Sequence, residues 1–187
     1  MSEVLLLGIG NILLADDGLG SWFASGFRRR YRIPPNLDVI EGGTLGLELL
    51  DCIAGRRALV VVDAVVTSQP KAGTVVRLEG AMVSAALGLK MSTHDIALRD
   101  LLAGATLLGC VPPSVVLCGI EPAEIAPQIA LSAPVQAALP ALERLVLEEL
   151  ARLGCVCTPV APEPGAAGGL SWDRLAIELP EMNAPAI

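Results

Sequence analysis

Short apolar runs that end on glycine or an acid punctuate the first two thirds of this chain, and they restrict its fold more than any other feature. Val4–Ile9 leads into Gly10-Asn11 and then Asp16-Asp17. Leu37–Ile40 ends at Glu41-Gly42-Gly43-Thr44, and Ala58–Val66 carries Asp63 near its C-terminal end. Ser114–Ile120 lies between Pro112-Pro113 and Glu121-Pro122. Continuous apolar runs of this length suit strands buried on both faces of a parallel sheet.

Helical patterns alternate with these runs. Asp17 to about Tyr31 places Leu19, Trp22, Phe23 and Phe27 on one face, and Pro34-Pro35 stop it. Thr44 is suited to cap a helix running to about Ile53, and Ser92 or Thr93 one from His94 to about Leu102. A long helix is expected from about Ala133 to Leu153, kinked or restarted at Pro140. The turn Ser68–Gly73 is too short for a parallel crossover, so Thr74–Leu78 should run antiparallel at or near an edge. Gly80–Lys90 reads as a loop with a helical piece. The expected fold is α/β: a three-layer α/β/α sandwich around an open, mostly parallel five-stranded sheet.

Residues 1–158 read as a single α/β domain, a length that suits one well-formed core. Residues 159–187 change character. Prolines at 159, 162, 164, 180 and 185 and the stretch Gly165–Gly169 suggest a loosely ordered tail, with a short segment docked through Trp172, Leu175 and Ile177.

Composition limits the function classes. The chain is 53% hydrophobic but only 3% aromatic, so aliphatic side chains must fill the core. Charges, glycines or prolines interrupt every apolar run before the roughly 18–20 residues of a membrane span. The start Met1-Ser2-Glu3-Val4 has no basic stretch of a secretory signal, and a cytoplasmic protein is expected. A net charge of −7 argues against nucleic acid and anionic membranes. Arg28-Arg29-Arg30 reads as a solvated helix end, where cations complement the helix dipole. The five cysteines are odd in number and scattered, which suits reduced thiols rather than a disulfide framework.

Ligands of open α/β sheets bind at the carboxyl ends of the strands. Asp16-Asp17, the Glu41–Thr44 loop and Asp63 all fall there, and His94, the sole histidine, opens a later helix. Two carboxylates and one imidazole suit a divalent ion such as zinc, nickel or manganese. Each residue also has a plainer reading: Asp16 or Asp17 as a helix cap, Asp63 as a turn former, His94 as a first-turn helix residue. A nucleotide site is disfavoured. Leu13 stands where a dinucleotide fingerprint needs its third glycine, and Asp16-Asp17 would repel a pyrophosphate. Gly-x-Ser-x-Gly is absent, so a serine nucleophile has no elbow to sit on.

Four separated motifs resemble those of the nickel–iron hydrogenase maturation endopeptidases. Gly8–Gly20 is similar to the family's N-terminal signature, and Glu41–Gly46 to its glycine-glycine-threonine loop. Val62-Asp63-Ala64 resembles its second acidic motif, and Ser92-Thr93-His94-Asp95 its histidine motif. Gly119–Pro122 and the helix after Ser132-Ala133-Pro134 are similar as well. The resemblance implies a peptidase that removes a C-terminal extension from the large-subunit precursor once nickel has been inserted. It maps the metal contacts and catalytic groups onto Asp17, Asp63 and His94, and close backbone contact with substrate onto Gly42, Gly43 and Thr44. Nickel would be supplied by the precursor, with zinc or another divalent ion binding in isolation, and a monomer is expected. Two other functions share this architecture: a non-catalytic nickel carrier or assembly chaperone, and a nucleotide-binding α/β module.

Overall fold

A computed structural model describes residues 2–80, 82–83 and 93–160 and, for 93–97, the backbone alone. Strands β1 (Val4–Ile9), β3 (Leu37–Gly43), β4 (Ala58–Ala64), β5 (Val75–Glu79) and β6 (Ser114–Ile120) form one sheet in the order β3-β1-β4-β6-β5. All neighbours are parallel except β5, which runs antiparallel to β6 at the edge. This is the expected five-stranded sheet, and the short turn before β5 accounts for its reversed direction.

Among the described residues four named helices cover the sheet: α1 (Leu19–Arg30), α2 (Leu50–Ile53), α3 (Thr93–Leu107) and α4 (Ala133–Arg152). Phe23 and Phe27 of α1 and Leu139, Leu142 and Val146 of α4 pack with Leu6, Val60, Val62 and Val116 on one face. Ile53 of α2 and Leu98, Leu101 and Ala105 of α3 pack with Leu5, Leu7, Leu59, Val61 and Leu117 on the other. A buried Leu or Val side chain contributes roughly 1.5–3 kcal/mol, so two filled faces hold the register firmly. A one-residue slip of β4 would turn Asp63 from the α3 side into the α1/α4 core.

Several local expectations change in detail. The first helix begins at Leu19, because Ala15–Gly18 forms a separate 3-10 turn that opens on Ala15 with a φ of 49°. Thr44 is exposed and caps nothing; a 3-10 turn at Leu47–Leu49 precedes α2. Pro140 does not restart α4, which is continuous from Ala133 to Arg152. Its ring and the Gln136 carbonyl left without an N–H donor lie on an exposed stretch, where water can satisfy that carbonyl.

Tyr31–Arg32 (β2) and Thr158–Pro159 (β7) form a small antiparallel pair that follows α1 and α4, and Val160 N donates to Arg30 O at 2.8 Å. Trp172, Leu175 and Ile177 lie outside the described residues, as does most of Gly80–Lys90. No helix among the described residues is long and apolar enough to cross a membrane.

Candidate active site at the carboxyl edge of the sheet

The exit of β1 is built to bring a carboxylate against β4. Gly10 has a φ of 128°, and a Cβ there would lie 1.9 Å from the Asp17 carbonyl oxygen. A Cβ on Gly20 would lie 2.0 Å from Val62 O and 2.3 Å from Ile9 O. Only glycine permits these approaches. They seat the Ala15–Gly18 turn and the start of α1 directly on the ends of β1 and β4. Asp17 and Asp63 therefore lie at the same edge of the sheet, each about 1% exposed.

Both carboxylates are held by backbone donors. Asn11 N donates to Asp17 Oδ2 at 3.2 Å, and Ala64 N to Asp63 Oδ1 at 2.8 Å. Asn11 also closes its own turn, its Oδ1 accepting Leu13 N at 3.0 Å. Side chains alternate along β4, so Asp63 shares its face with Leu59 and Val61, the face covered by α2 and α3. Helix α3 carries His94 in its first turn. Fifteen residues of helix span about 22 Å. The C-terminal end of α3 leads through residues 108–113 to the amino end of β6. The structure thus brings Asp17 and Asp63 to one edge and places the helix of His94 in the layer that Asp63 faces. The His94 side chain lies outside the described residues. Among the described residues no three His, Cys, Asp or Glu side chains gather in a metal-binding group.

Gly42, Gly43 and Thr44 divide their roles. Gly42 is buried, and a Cβ there would press on Leu7, Leu49 and Ile9, so it serves packing. Gly43 turns the chain with a φ of 54° and accepts Gly10 N at 2.9 Å, which links the first two motifs. Thr44 is exposed beside it.

Asp16 is more than the helix cap considered from the sequence. It is fully buried, and its carboxylate accepts four hydrogen bonds: Ala123 N at 2.8 Å, Glu124 N at 3.0 Å, Ser132 N at 2.6 Å and Ser132 Oγ at 2.8 Å. The segment after β6 is thereby stapled to the turn that holds Asp17. No local motif announces this role, because its partners lie more than a hundred residues away. Glu121, also buried, accepts Thr67 N at 2.9 Å and steadies the exit of β4 two residues past Val65. Burial pushes the Cys118 thiol up to about 12 and that of Cys157 up to about 11, so neither supplies a thiolate at neutral pH.

A family model for hydrogenase maturation proteases matches residues 23–149, a stretch that holds Asp63 and His94 and most of the chain. The chain belongs to the hydrogenase maturation protease family. Its similarity to the hydrogenase 2 maturation protease of Escherichia coli is 36% identity over 158 residues, covering 84% of this chain and 96% of that protein. Its similarity to the HupD hydrogenase expression/formation protein of Thiocapsa roseopersicina is 37% identity over 162 residues, covering 82% of this chain and 70% of that protein. The solved structure of the hydrogenase maturating endopeptidase HybD from E. coli superposes with a TM-score of 0.80 at 33% identity, over 85% of this chain and 98% of that one. Members of this protease family thus share the sheet and helices described above. The glycine approaches at Gly10 and Gly20 explain how the present chain brings its two acids to the same sheet edge within that fold.

Proposed function

We propose that this hydrogenase maturation protease removes the C-terminal extension of a nickel–iron hydrogenase large-subunit precursor after nickel insertion, using Asp17, Asp63 and His94. The observation that carries this reading is the placement of two nearly solvent-free carboxylates at the carboxyl edge of the neighbouring strands β1 and β4, with the first turn of α3 in the layer that Asp63 faces. Carboxylate oxygens and an imidazole nitrogen are a donor set that fits nickel or zinc. In this reading the nickel is part of the substrate, and the three side chains test whether the precursor is loaded. A bound divalent ion can polarise a scissile carbonyl. Asp63 or Asp17 would take the proton from the attacking water, and the backbone donors at Ala64 and Asn11 hold these carboxylates in place for it. At Gly43, where an added Cβ would meet open space, the thin backbone would let the extended precursor tail approach the sheet edge.

A carrier or chaperone would bind nickel and release no peptide. Intact mass of a large-subunit precursor, with and without nickel, after incubation with this protein separates the two. Loss of one C-terminal peptide from the loaded form alone supports the protease and its nickel check. Tight binding of free nickel without peptide release from any loaded precursor would replace the proposal by the carrier.

A further inference from the structure

Three loops at the carboxyl edge expose aliphatic side chains that the fold does not need there. Leu13 follows β1, Leu45 follows β3, and Ile125 and Ile129 follow β6; each is 43–55% exposed. The loops are not loose. Ala15 N donates to Gln128 O at 2.7 Å, Gln128 N to Leu13 O at 3.0 Å and Asp16 N to Glu124 O at 3.2 Å, in addition to the four bonds to the Asp16 carboxylate. An ordered framework is thus holding apolar side chains out toward solvent. The strand order puts the β3 loop and the β6 loop on opposite sides of Asp17 and Asp63, three strand spacings or about 14 Å apart.

The same loops carry one sign of charge. Residues 10–18, 41–53 and 121–132 contain no Lys or Arg, whereas Glu41, Glu48 and Glu124 are exposed among the aliphatic residues. An apolar rim with an acidic fringe, wide enough to flank a buried centre on both sides, fits a folded protein face rather than a small polar ligand.

We infer that this rim is the surface on which the folded body of the large-subunit precursor docks, through a face that presents apolar side chains fringed by Lys or Arg. The inference rests on the proposed function and extends it from the scissile segment to the rest of the precursor. Opposite charge across the fringe speeds encounter and fixes orientation, while the aliphatic contacts set the lifetime of the complex. Docking then brings the nickel-bearing segment over Asp17 and Asp63.

The test is steady-state cleavage of the nickel-loaded precursor by full-length protein, with thermal melts confirming that each variant folds. Leu45→Asp and Ile129→Asp should each raise KM roughly tenfold and leave kcat within about twofold, the size of a good interface contact. Leu107→Asp, at an exposed site at the other end of the sheet, is the control and should leave KM unchanged. Raising salt from about 50 to about 300 mM should raise the KM of the unaltered protein, and Glu48→Lys with Glu124→Lys should reverse that slope. Unaltered KM in both rim variants, while the parent protein cleaves, overturns the docking surface and leaves the protease standing. A parent protein that is dimeric, and made monomeric by the rim substitutions, would assign the rim to a second copy and also overturn it. Failure of the parent protein to cleave any loaded precursor removes the proposed function, and this inference with it.

Discussion

Asp16 and Ser132 are joined twice: the carboxylate accepts Ser132 N at 2.6 Å and Ser132 Oγ at 2.8 Å. This contact ties the start of α4 to the turn that holds Asp17, across 116 residues of chain. Ser132 precedes α4 as its N-cap yet makes no cap bond with its own hydroxyl, which goes to Asp16 instead.

Asp16→Ala should therefore be among the most damaging single changes. It removes the buried carboxylate that three backbone N–H groups, of Ala123, Glu124 and Ser132, use as acceptor. Bonds to a charged partner are worth about 1.5–3 kcal/mol each, so a loss of about 3 kcal/mol or more is expected in urea unfolding. Ser132→Ala removes only the hydroxyl and should cost about 1 kcal/mol. A loss for Asp16→Ala no larger than that for Ser132→Ala would mean that water reaches the staple.

Two glycines should respond in opposite ways to alanine. At Gly20 the new Cβ would sit 2.0 Å from Val62 O and 2.3 Å from Ile9 O, which are backbone atoms of buried strands that cannot give way cheaply. Gly20→Ala should push α1 off the sheet, lower the melting temperature and lower peptide release, because Asp17 moves with the turn. Overpacking of this kind costs about 1–3 kcal/mol or more. At Gly104, inside α3, the nearest atom is Leu47 Cδ2 at 2.8 Å, the tip of an exposed side chain. The helix gains up to about 1 kcal/mol from alanine there. Gly104→Ala should be neutral or stabilising, and a melt of the two variants side by side decides the point.

An ion pair at the other edge sets a pH dependence. Arg77 donates to Glu149 through Nε at 2.7 Å and through a terminal nitrogen at 3.0 Å, joining β5 to α4. The guanidinium beside it holds the Glu149 carboxyl below its ordinary value of 4.5, against the opposing effect of burial. A carboxyl depressed in the folded state stabilises fully above its unfolded pKa, and that contribution is lost as pH falls through the folded value. Stability of the parent protein should thus drop on acidification below about 4.5. Glu149→Gln should be less stable at neutral pH and show a shallower acid limb. Equal limbs in urea unfolding at several pH values would show that Glu149 titrates alike in both states.

The parts of this molecule that a sequence makes legible are those determined by local burial. β1 and β6 fall where their apolar runs predict, because a strand buried on both faces admits few polar residues. β5 reverses because its turn is too short for anything else. The edge location of Asp17 and Asp63 follows from the same logic. What stays hidden depends on contacts distant in sequence. Asp16 resembles a helix cap until Ala123, Glu124 and Ser132 arrive, and Thr44 resembles a cap until the chain delays its helix to Leu47 and beyond. The pairing of Tyr31–Arg32 with Thr158–Pro159 is too short to carry any periodicity.

The role of Asp63 can be separated from its place in the fold. Its Oδ1 accepts Ala64 N, and an asparagine carbonyl can accept the same bond, so Asp63→Asn should fold with little change in melting temperature. It removes the negative charge, and peptide release from the loaded precursor should fall at least about a hundredfold, the range for loss of a general base. His94→Ala should also abolish processing with the fold intact, and cleavage at the parent rate would remove His94 from the site. Binding then distinguishes two ways in which the carboxylate can act. If Asp63 reads the nickel, Asp63→Asn binds loaded and empty precursor alike, because the differential contact is gone. If it serves only as base, the preference for loaded precursor survives while cleavage is lost. Undiminished cleavage by Asp63→Asn would exclude both and leave Asp17 as the acid on which the reaction depends.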